Sequence, residues 1–359
     1  MNSLFEDLVI GGDILEVTVD IDDTVKNIAQ ANDYDFNGTS TFKVPSFIKP
    51  IDYNIGVIMG PSGTGKSSLL KHFGHQLSFK PNPKKAISSQ IDPNLLMKMG
   101  LSTIPSLCRP YHVLSNGEKH RCDLAYTLEH DGLVFDEFTS TVHRQLAMAI
   151  SISLSKYVKS NNLKLTLATC HEDVINWLEP DWVFNTITGQ LTKRRLERQA
   201  LQFEINACST KAWKYFKDFH YLTSEIHQSA QCWIMHYNGD FVGFNSAIPF
   251  PNKYLKNAYR EHRLVIHPNY QGLGLGKFFT EHIGDLYVKN GYRYYSKTSH
   301  PKLGNYRDNS KKWRPTIENK KDRSKNYLKQ LSKKSTHRSL VDYKAHANRL
   351  CFSHEYIGL

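Results

Sequence analysis

Eight consecutive residues, Gly60, Pro61, Ser62, Gly63, Thr64, Gly65, Lys66 and Ser67, match G-x-x-x-x-G-K-[ST] without a mismatch. That spacing is built for phosphate. The glycines let successive backbone N–H groups turn toward phosphate oxygens, Lys66 reaches the β- and γ-phosphates, and the Ser67 hydroxyl completes the shell of a Mg2+ ion. The apolar run Ile55–Met59 precedes the loop and a helical Ser68-Leu-Leu-Lys follows it. This is the strand–loop–helix context the motif needs. A bound nucleoside triphosphate is expected.

Several more elements follow in order. Lys84–Ser89 reads as a strand ending in Gln90, and Leu114-Ser115-Asn116-Gly117-Glu118 runs into a helical stretch, Lys119–His130. The apolar Gly132-Leu-Val-Phe ends in Asp136-Glu137. A long helix (Gln145–Ser160) leads to the strand Leu163–Thr169, which ends in Cys170-His171. In this order the pieces resemble the ATPases of the ABC superfamily: phosphate loop, glutamine loop, signature, carboxylate pair and switch histidine.

The resemblance implies a site. Ser68, Gln90, Ser115, Asn116, Gly117 and Glu118 join Gly60–Ser67 in binding ATP. Ser67, Gln90 and Asp136 hold Mg2+, Glu137 orients the attacking water, and His171 senses the γ-phosphate. It also implies a homodimer that closes over two nucleotides. Ser115-x-x-Glu118 is equally a capping box, and the two readings are compatible, since a capped helix N-terminus is also an anion site. Three positions depart from the family: Asn116 replaces the first glycine of L-S-G-G-Q, Phe138 a common proline, and His143 a usual aspartate. The short interval between Gln90 and Leu114 leaves room for only a minimal helical subdomain.

A second phosphate-type loop lies in the other half of the chain. The hairpin signal Cys232–Tyr237, Asn238-Gly239, Phe241–Phe244 precedes a strand, Arg263–His267. Then come Gln271, Gly272, Leu273, Gly274, Leu275, Gly276 and Lys277, and a helix over Phe278–Lys289. The G-x-G-x-G spacing is not that of a dinucleotide-binding turn. It resembles the pyrophosphate loop of the GNAT acyltransferases, with Val265 and Ile266 on the preceding strand. The resemblance implies acetyl-CoA or another acyl-CoA, its pyrophosphate wrapped by N–H groups at a helix N-terminus. For the acid–base work, Glu261, His262 and His267 flank the strand, while His300 and Tyr306 follow the next one, Tyr292–Ser296; His300 and Tyr306 are preferred. His346, Cys351 and His354 lack a fourth partner at zinc spacing.

At 359 residues the chain can hold two cores. The reading is an α/β protein: an N-terminal P-loop ABC-type ATPase domain over residues 1–199, then a C-terminal α+β GNAT-like acyltransferase domain over 200–359. Within the first, Ile14–Ile21 alternates as half-buried strands do, and Val183–Leu191 reads as a closing hairpin. The second begins with an amphipathic helix over Trp213–His220 and closes with a strand over Arg349–Ile357.

The formal charge is +12, and Lys297–Arg349 holds sixteen Lys and Arg against four Asp and Glu, leaving the rest neutral. This basic insertion, about 297–349, interleaves Tyr306, Trp313, Tyr327 and Tyr343. It suits phosphate contacts with base stacking, so nucleic acid is the expected partner, DNA before RNA. No signal-peptide n-region and no membrane-spanning run is present. Six scattered cysteines read as reduced, mostly buried thiols, which points to the cytoplasm; the family resemblance suggests a phage or prokaryotic source. ATP-dependent acylation of a nucleic-acid base is the leading expectation. The alternatives are an acetyltransferase acting on a protein or small amine, and an ATP-gated DNA-binding protein whose GNAT fold is a scaffold.

Overall fold

The computed structural model describes residues 8–193, 200–220, 225–251, 255–321 and 350–358. They divide into two units, Met1–Leu101 with Ser106–Ala200, and Ser102–Pro105 with Leu201–Leu359.

The first unit begins with two antiparallel ribbons. β1 (Val9–Ile10) will pair with β4 (Phe47–Ile48), and β2 (Ile14–Thr18), after helix α1 (Asp23–Ala31), pairs with β3 (Thr39–Lys43). All five residues of β2 are exposed, which corrects the half-buried strand expected there. A two-stranded ribbon buries neither face unless a further layer covers it.

The core is a five-stranded sheet in the order β6-β7-β5-β8-β9. β5 (Ile55–Met59), β6 (Val134–Phe135), β7 (Leu165–Thr169) and β8 (Trp182–Asn185) are parallel, and β9 (Gln190–Lys193) returns antiparallel as the expected hairpin. These strands are nearly continuous apolar runs because helices cover a parallel sheet on both faces. Gly56 is required by a close approach: a Cβ there would lie 2.0 Å from the Trp182 ring. The helices are α2 (Lys66–Leu70), α3 (Pro93–Lys98), α4 (Ile104–Leu107, whose first two residues fall to the second unit), α5 (Asn116–Glu129), α6 (Arg144–Ser160) and α7 (Asp173–Leu178). Met59 pairs with Thr169, and Phe135 with Leu167. The phosphate loop, the carboxylate pair and His171 therefore leave the sheet at one edge.

The second unit is a seven-stranded sheet, β10-β11-β12-β13-β14-β16-β15. Its strands are β10 (Glu204–Cys208), β11 (Gln231–Tyr237), β12 (Asp240–Pro249), β13 (Ala258–Ile266), β14 (Arg293–Thr298), β15 (Trp313–Pro315) and β16 (Phe352–Tyr356). Asn238 and Gly239, at φ 48° and 85°, make the tight turn between β11 and β12 that their types favour. Helix α8 (Leu275–Lys289) connects β13 to the parallel β14, and α9 (Pro301–Asn309) follows. β13 and β14 pair only over Ala258–Arg260 and Arg293–Tyr295, so beyond that point the two strands part.

Further expectations are corrected. Lys84–Ser89 is a turn and a short 3-10 helix (Ile87–Ser89), because Gln90 caps the turn from within. Trp213–His220 forms 3-10 turns over Thr210–Tyr215 and Lys217–Phe219, folded so that Trp213 and Phe216 both reach one cluster with Phe244 and Val265. The basic stretch is not wholly an insertion: α9 and β15 belong to the fold of the unit, while residues 322–349, with Tyr327 and Tyr343, lie outside the described residues. All six cysteines are free, but only Cys122 and Cys232 are buried. Among the described residues no helix is long and apolar enough to cross a membrane.

Candidate active sites of the two units

In the first unit the phosphate loop is held in shape by its own hydroxyls. Thr64 Oγ1 donates to the Pro61 carbonyl at 2.8 Å and lies 2.6 Å from Thr186 Oγ1. Gly63 and Gly65 take φ of 78° and 85°. A Cβ on Gly63 would meet nothing within 4 Å, so it is conformation, not room, that calls for glycine there. Lys66 Nζ donates to the Pro61 carbonyl at 2.6 Å, lying across the loop. An ammonium has three donors, so Lys66 keeps capacity for an anion. Ser62 and the Ser67 hydroxyl-bearing residue are exposed, and Ser68 is half-buried.

The carboxylate turn after β6 is stitched to the end of β7. Phe138 N–H donates to the Ala168 carbonyl at 2.8 Å, and Thr169 Oγ1 donates to the Phe138 carbonyl at 2.9 Å. Asp136 accepts the Glu137 N–H at 2.8 Å through Oδ1, and the Glu137 side chain is exposed. Ser67 and Asp136 thus offer the oxygen donors that Mg2+ prefers. Thr139 Oγ1 lies 3.3 Å from His171 Nδ1. Burial, and then the Arg144 charge, holds the His171 imidazole below its ordinary pKa, partly opposed by Asp173.

The other two motifs are more self-contained. The Gln90 amide is spent on its own turn: Oε1 accepts the Asn82 N–H at 2.6 Å, and Nε2 donates to the Lys85 carbonyl at 2.9 Å. The structure does not turn it toward the phosphate loop. Ser115 caps α5 in a complete capping box with Glu118. Burial acts to raise the Glu118 pKa, but hydrogen bonds from Ser106 and Ser115 and the Arg109 charge hold it below the usual range. Asn116 opens the helix, and Gly117 is needed because a Cβ would fall 2.2 Å from Leu146 Cδ2.

In the second unit the loop after β13 is shaped by Gln271, whose Nε2 donates to the Ile266 carbonyl at 2.9 Å. Gly272 and Gly274 take φ of 98° and 83°. Gly274 is the N-cap of the 15-residue α8 and supplies no side-chain cap. The first N–H groups of α8 therefore have no side-chain cap, an arrangement in which a helix N-terminus can accept an anion. Gly276 stands 3.8 Å, by its would-be Cβ, from Ile266 Cγ1, and Leu273 beside it is half-buried. Val265 and Leu275 are buried. Lys277 Nζ sits 5.0 Å above the Tyr306 ring.

The acid–base candidates differ sharply. Glu261 accepts from the Thr280 hydroxyl and from Arg307 Nη2 at 2.9 Å. Arg307 is fully buried, donates also to Ser296, and lies 4.4 Å over the Trp313 ring. Glu261 is thus committed to an ion pair. His262 Nε2 accepts the His227 N–H at 3.2 Å, and burial with the Arg263 charge lowers its pKa to about 4. His267 Nδ1 accepts from the Asn269 N–H at 3.3 Å. His300 is the N-cap of α9; burial lowers its pKa, and its Nδ1 has no partner among the described residues. The Tyr306 hydroxyl donates to Glu281, and burial followed by that bond raises its pKa. Trp313 is buried and so cannot stack on a base, a correction to the aromatic stripe. His354 Nε2 pairs with Asp308 Oδ1 at 2.8 Å, and His346 lies outside the described residues. Thr139, Arg144, Asp173, Glu281 and Arg307 were not read from the sequence. Their partners are distant in the chain, and no local spacing announces them.

Residues 228–310 match the acetyltransferase (GNAT) domain family. No curated protein matches the chain. Among solved structures, the chain is similar to an IAA acetyltransferase from Bacillus cereus at 13% identity, covering 43% of this chain and 99% of that one, with a TM-score of 0.31. It is similar to a Bacillus subtilis acetyltransferase in complex with CoA at 12% identity, over 45% of this chain and 100% of that one, TM-score 0.32. A dimeric bacterial ABC transporter cassette is similar at 15% identity, over 41% of this chain and 87% of that one, TM-score 0.34. A parallel-sheet unit that carries the phosphate loop is thus followed by a unit in which residues 228–310 match the GNAT acetyltransferase domain family.

Proposed function

We propose that the chain couples ATP hydrolysis to transfer of an acyl group from acyl-CoA onto an amine of a nucleic-acid base, DNA before RNA. The observation that supports this most is the pairing of two strand–loop–helix anion sites in one chain, Gly60–Ser67 and Gln271–Lys277, with only the first flanked by a carboxylate pair and a histidine.

In the ATPase unit the backbone of Gly60–Ser67 and Lys66 hold the triphosphate. Ser67 and Asp136 would hold Mg2+, which neutralises charge on the β- and γ-oxygens. Glu137, exposed beside Asp136, orients water in line, and His171 donates to the γ-phosphate. Ser115–Glu118, at the N-terminus of α5, serves the nucleotide of a second copy, so the working form is a homodimer. In the acyltransferase unit the N–H groups around Gly272, Gly274 and Gly276 anchor the pyrophosphate. The acceptor nitrogen forms a bond to the acyl carbon while the carbon–sulfur bond breaks; the thiolate takes up a proton and the amine gives one up. His300, whose imidazole burial keeps below its ordinary pKa and whose buried Nδ1 has no partner among the described residues, receives that proton, and Tyr306 is the donor to the thiolate once its hydroxyl leaves Glu281. Closure of the dimer exposes the base, which a duplex otherwise hides.

Nucleic acid is favoured as acceptor by the concentration of positive charge in 297–349, of which Lys311 and Arg314 are exposed. The test is mass spectrometry of nucleosides from DNA and tRNA of cells expressing the protein, beside Glu137→Gln and Gly274→Glu. A new adduct lost in both variants supports the proposal, and its mass gives the acyl group. An unchanged nucleoside profile moves the acceptor to a protein or small amine.

A further inference from the structure

We infer that Thr139, together with the Arg144–Asp173 pair, positions His171 and sets the tautomer it presents to the nucleotide. The inference rests on the reading of His171 as the γ-phosphate sensor and adds the residues that make it one.

Two links join the segment after the carboxylates to the segment after β7. The first is the Thr139 hydroxyl, 3.3 Å from His171 Nδ1. Thr139 is fully buried and takes φ 65°, a left-handed conformation that a β-branched residue adopts only under constraint. The constraint is visible: Phe138, one residue before, is tied on both its N–H and its carbonyl to Ala168 and Thr169. Thr169 Oγ1 in turn accepts the His171 N–H at 3.1 Å. The same few atoms therefore hold the histidine backbone and force the threonine hydroxyl against its ring. A hydroxyl donating to Nδ1 leaves the proton on Nε2, which then donates to a phosphate oxygen.

The second link is the fork of Arg144. Its Nε donates to Asp173 Oδ2 at 2.7 Å and its Nη2 to Asp173 Oδ1, while the guanidinium lies 5.5 Å over the Trp177 ring. Arg144 opens α6 and Asp173 opens α7 two residues after His171, so the pair ties the two helix starts together. The charged groups that act on the imidazole are Arg144 from α6 and Asp173 from its own segment. Burial first and then Arg144 work against protonation of His171, and Asp173, held by its pair with Arg144, works for it.

The test measures ATP hydrolysis by the full-length protein across pH for wild type, His171→Ala, Thr139→Ala, Thr139→Ser, Arg144→Ala and Arg144→Lys. Thr139→Ala is expected to lower kcat roughly ten- to a hundredfold with little change in KM, as loss of a partner orienting a reactive group does. Thr139→Ser keeps the hydroxyl and restores the rate. Arg144→Ala moves the acid limb of the kcat profile to higher pH, since Asp173 then acts alone on His171, and Arg144→Lys moves it less. Wild-type kcat and an unshifted profile in Thr139→Ala and Arg144→Ala, with His171→Ala inactive, overturn the inference while leaving the sensor reading in place. Full hydrolysis by His171→Ala overturns both.

Discussion

The two glycine loops share a backbone solution and differ in what surrounds them. Both follow a strand, both use left-handed glycines (Gly63 and Gly65; Gly272 and Gly274), and both end at the start of a helix. Around Gly60–Ser67, three parallel strand ends bring Asp136, Glu137 and His171 to one edge, and the Glu137 side chain stays exposed. Beside Gln271–Lys277 the nearby carboxylate, Glu261, is spent on a buried arginine. A site that reacts with phosphate needs free carboxylates and tolerates their exposure. On the proposed reading, a site that only anchors a pyrophosphate can use its carboxylates to hold the fold together.

That contrast can be broken at the carboxylates. Glu137→Gln is expected to lower ATP turnover about 10²- to 10⁴-fold with no change in thermal midpoint, measured by phosphate release and calorimetry. Glu261→Ala should do the opposite. It leaves Arg307 buried without its counter-charge, at about 3–5 kcal/mol of stability, read by urea unfolding. If Glu137→Gln unfolds the protein, or Glu261→Ala leaves stability intact, the division of labour between the two regions is wrong.

The loops themselves sharpen it. Gly274→Glu places a charged side chain at a left-handed helix cap meant for an anion; titration calorimetry should show acetyl-CoA binding weakened about a hundredfold or more, near 2.7 kcal/mol, with ATP hydrolysis unchanged. Gly63→Ala meets open space and pays only backbone strain, about 1–2 kcal/mol, so ATP binding weakens without being lost.

The smallest effect is on pH. His120, buried between the Phe135 and Phe138 rings in the first unit, and His262 in the second both have pKa values lowered by burial to about 4. Unfolded, each takes up a proton near pH 6.5, so the stability they contribute is full above that value and declines as pH falls toward 4. His120→Leu should flatten this decline for the first unit and leave the second unchanged, as followed by thermal melts at stepped pH.

Much of this was legible in the chain because it is local. The phosphate loop, the apolar runs of β5 and β7, the Asn238-Gly239 turn and the Gln271–Gly276 loop each declare themselves within a few residues. Their chemistry depends on backbone conformation, which neighbouring residue types set. Gln90, the Trp213–His220 segment and the aromatic stripe at Trp313 were misread for one reason: local pattern does not show which partner a polar or aromatic side chain will meet. Gln90 turned back on its own loop, Trp213 folded into a cluster, and Trp313 went under Arg307.

The sequence by itself determined where the two glycine loops lie and which strands lead to them. Only the tertiary structure decided which charged groups are free to react. That choice depends on contacts between residues far apart in the chain, such as Glu261 with Arg307 and Thr139 with His171, where burial makes an ion pair or a single hydrogen bond decisive.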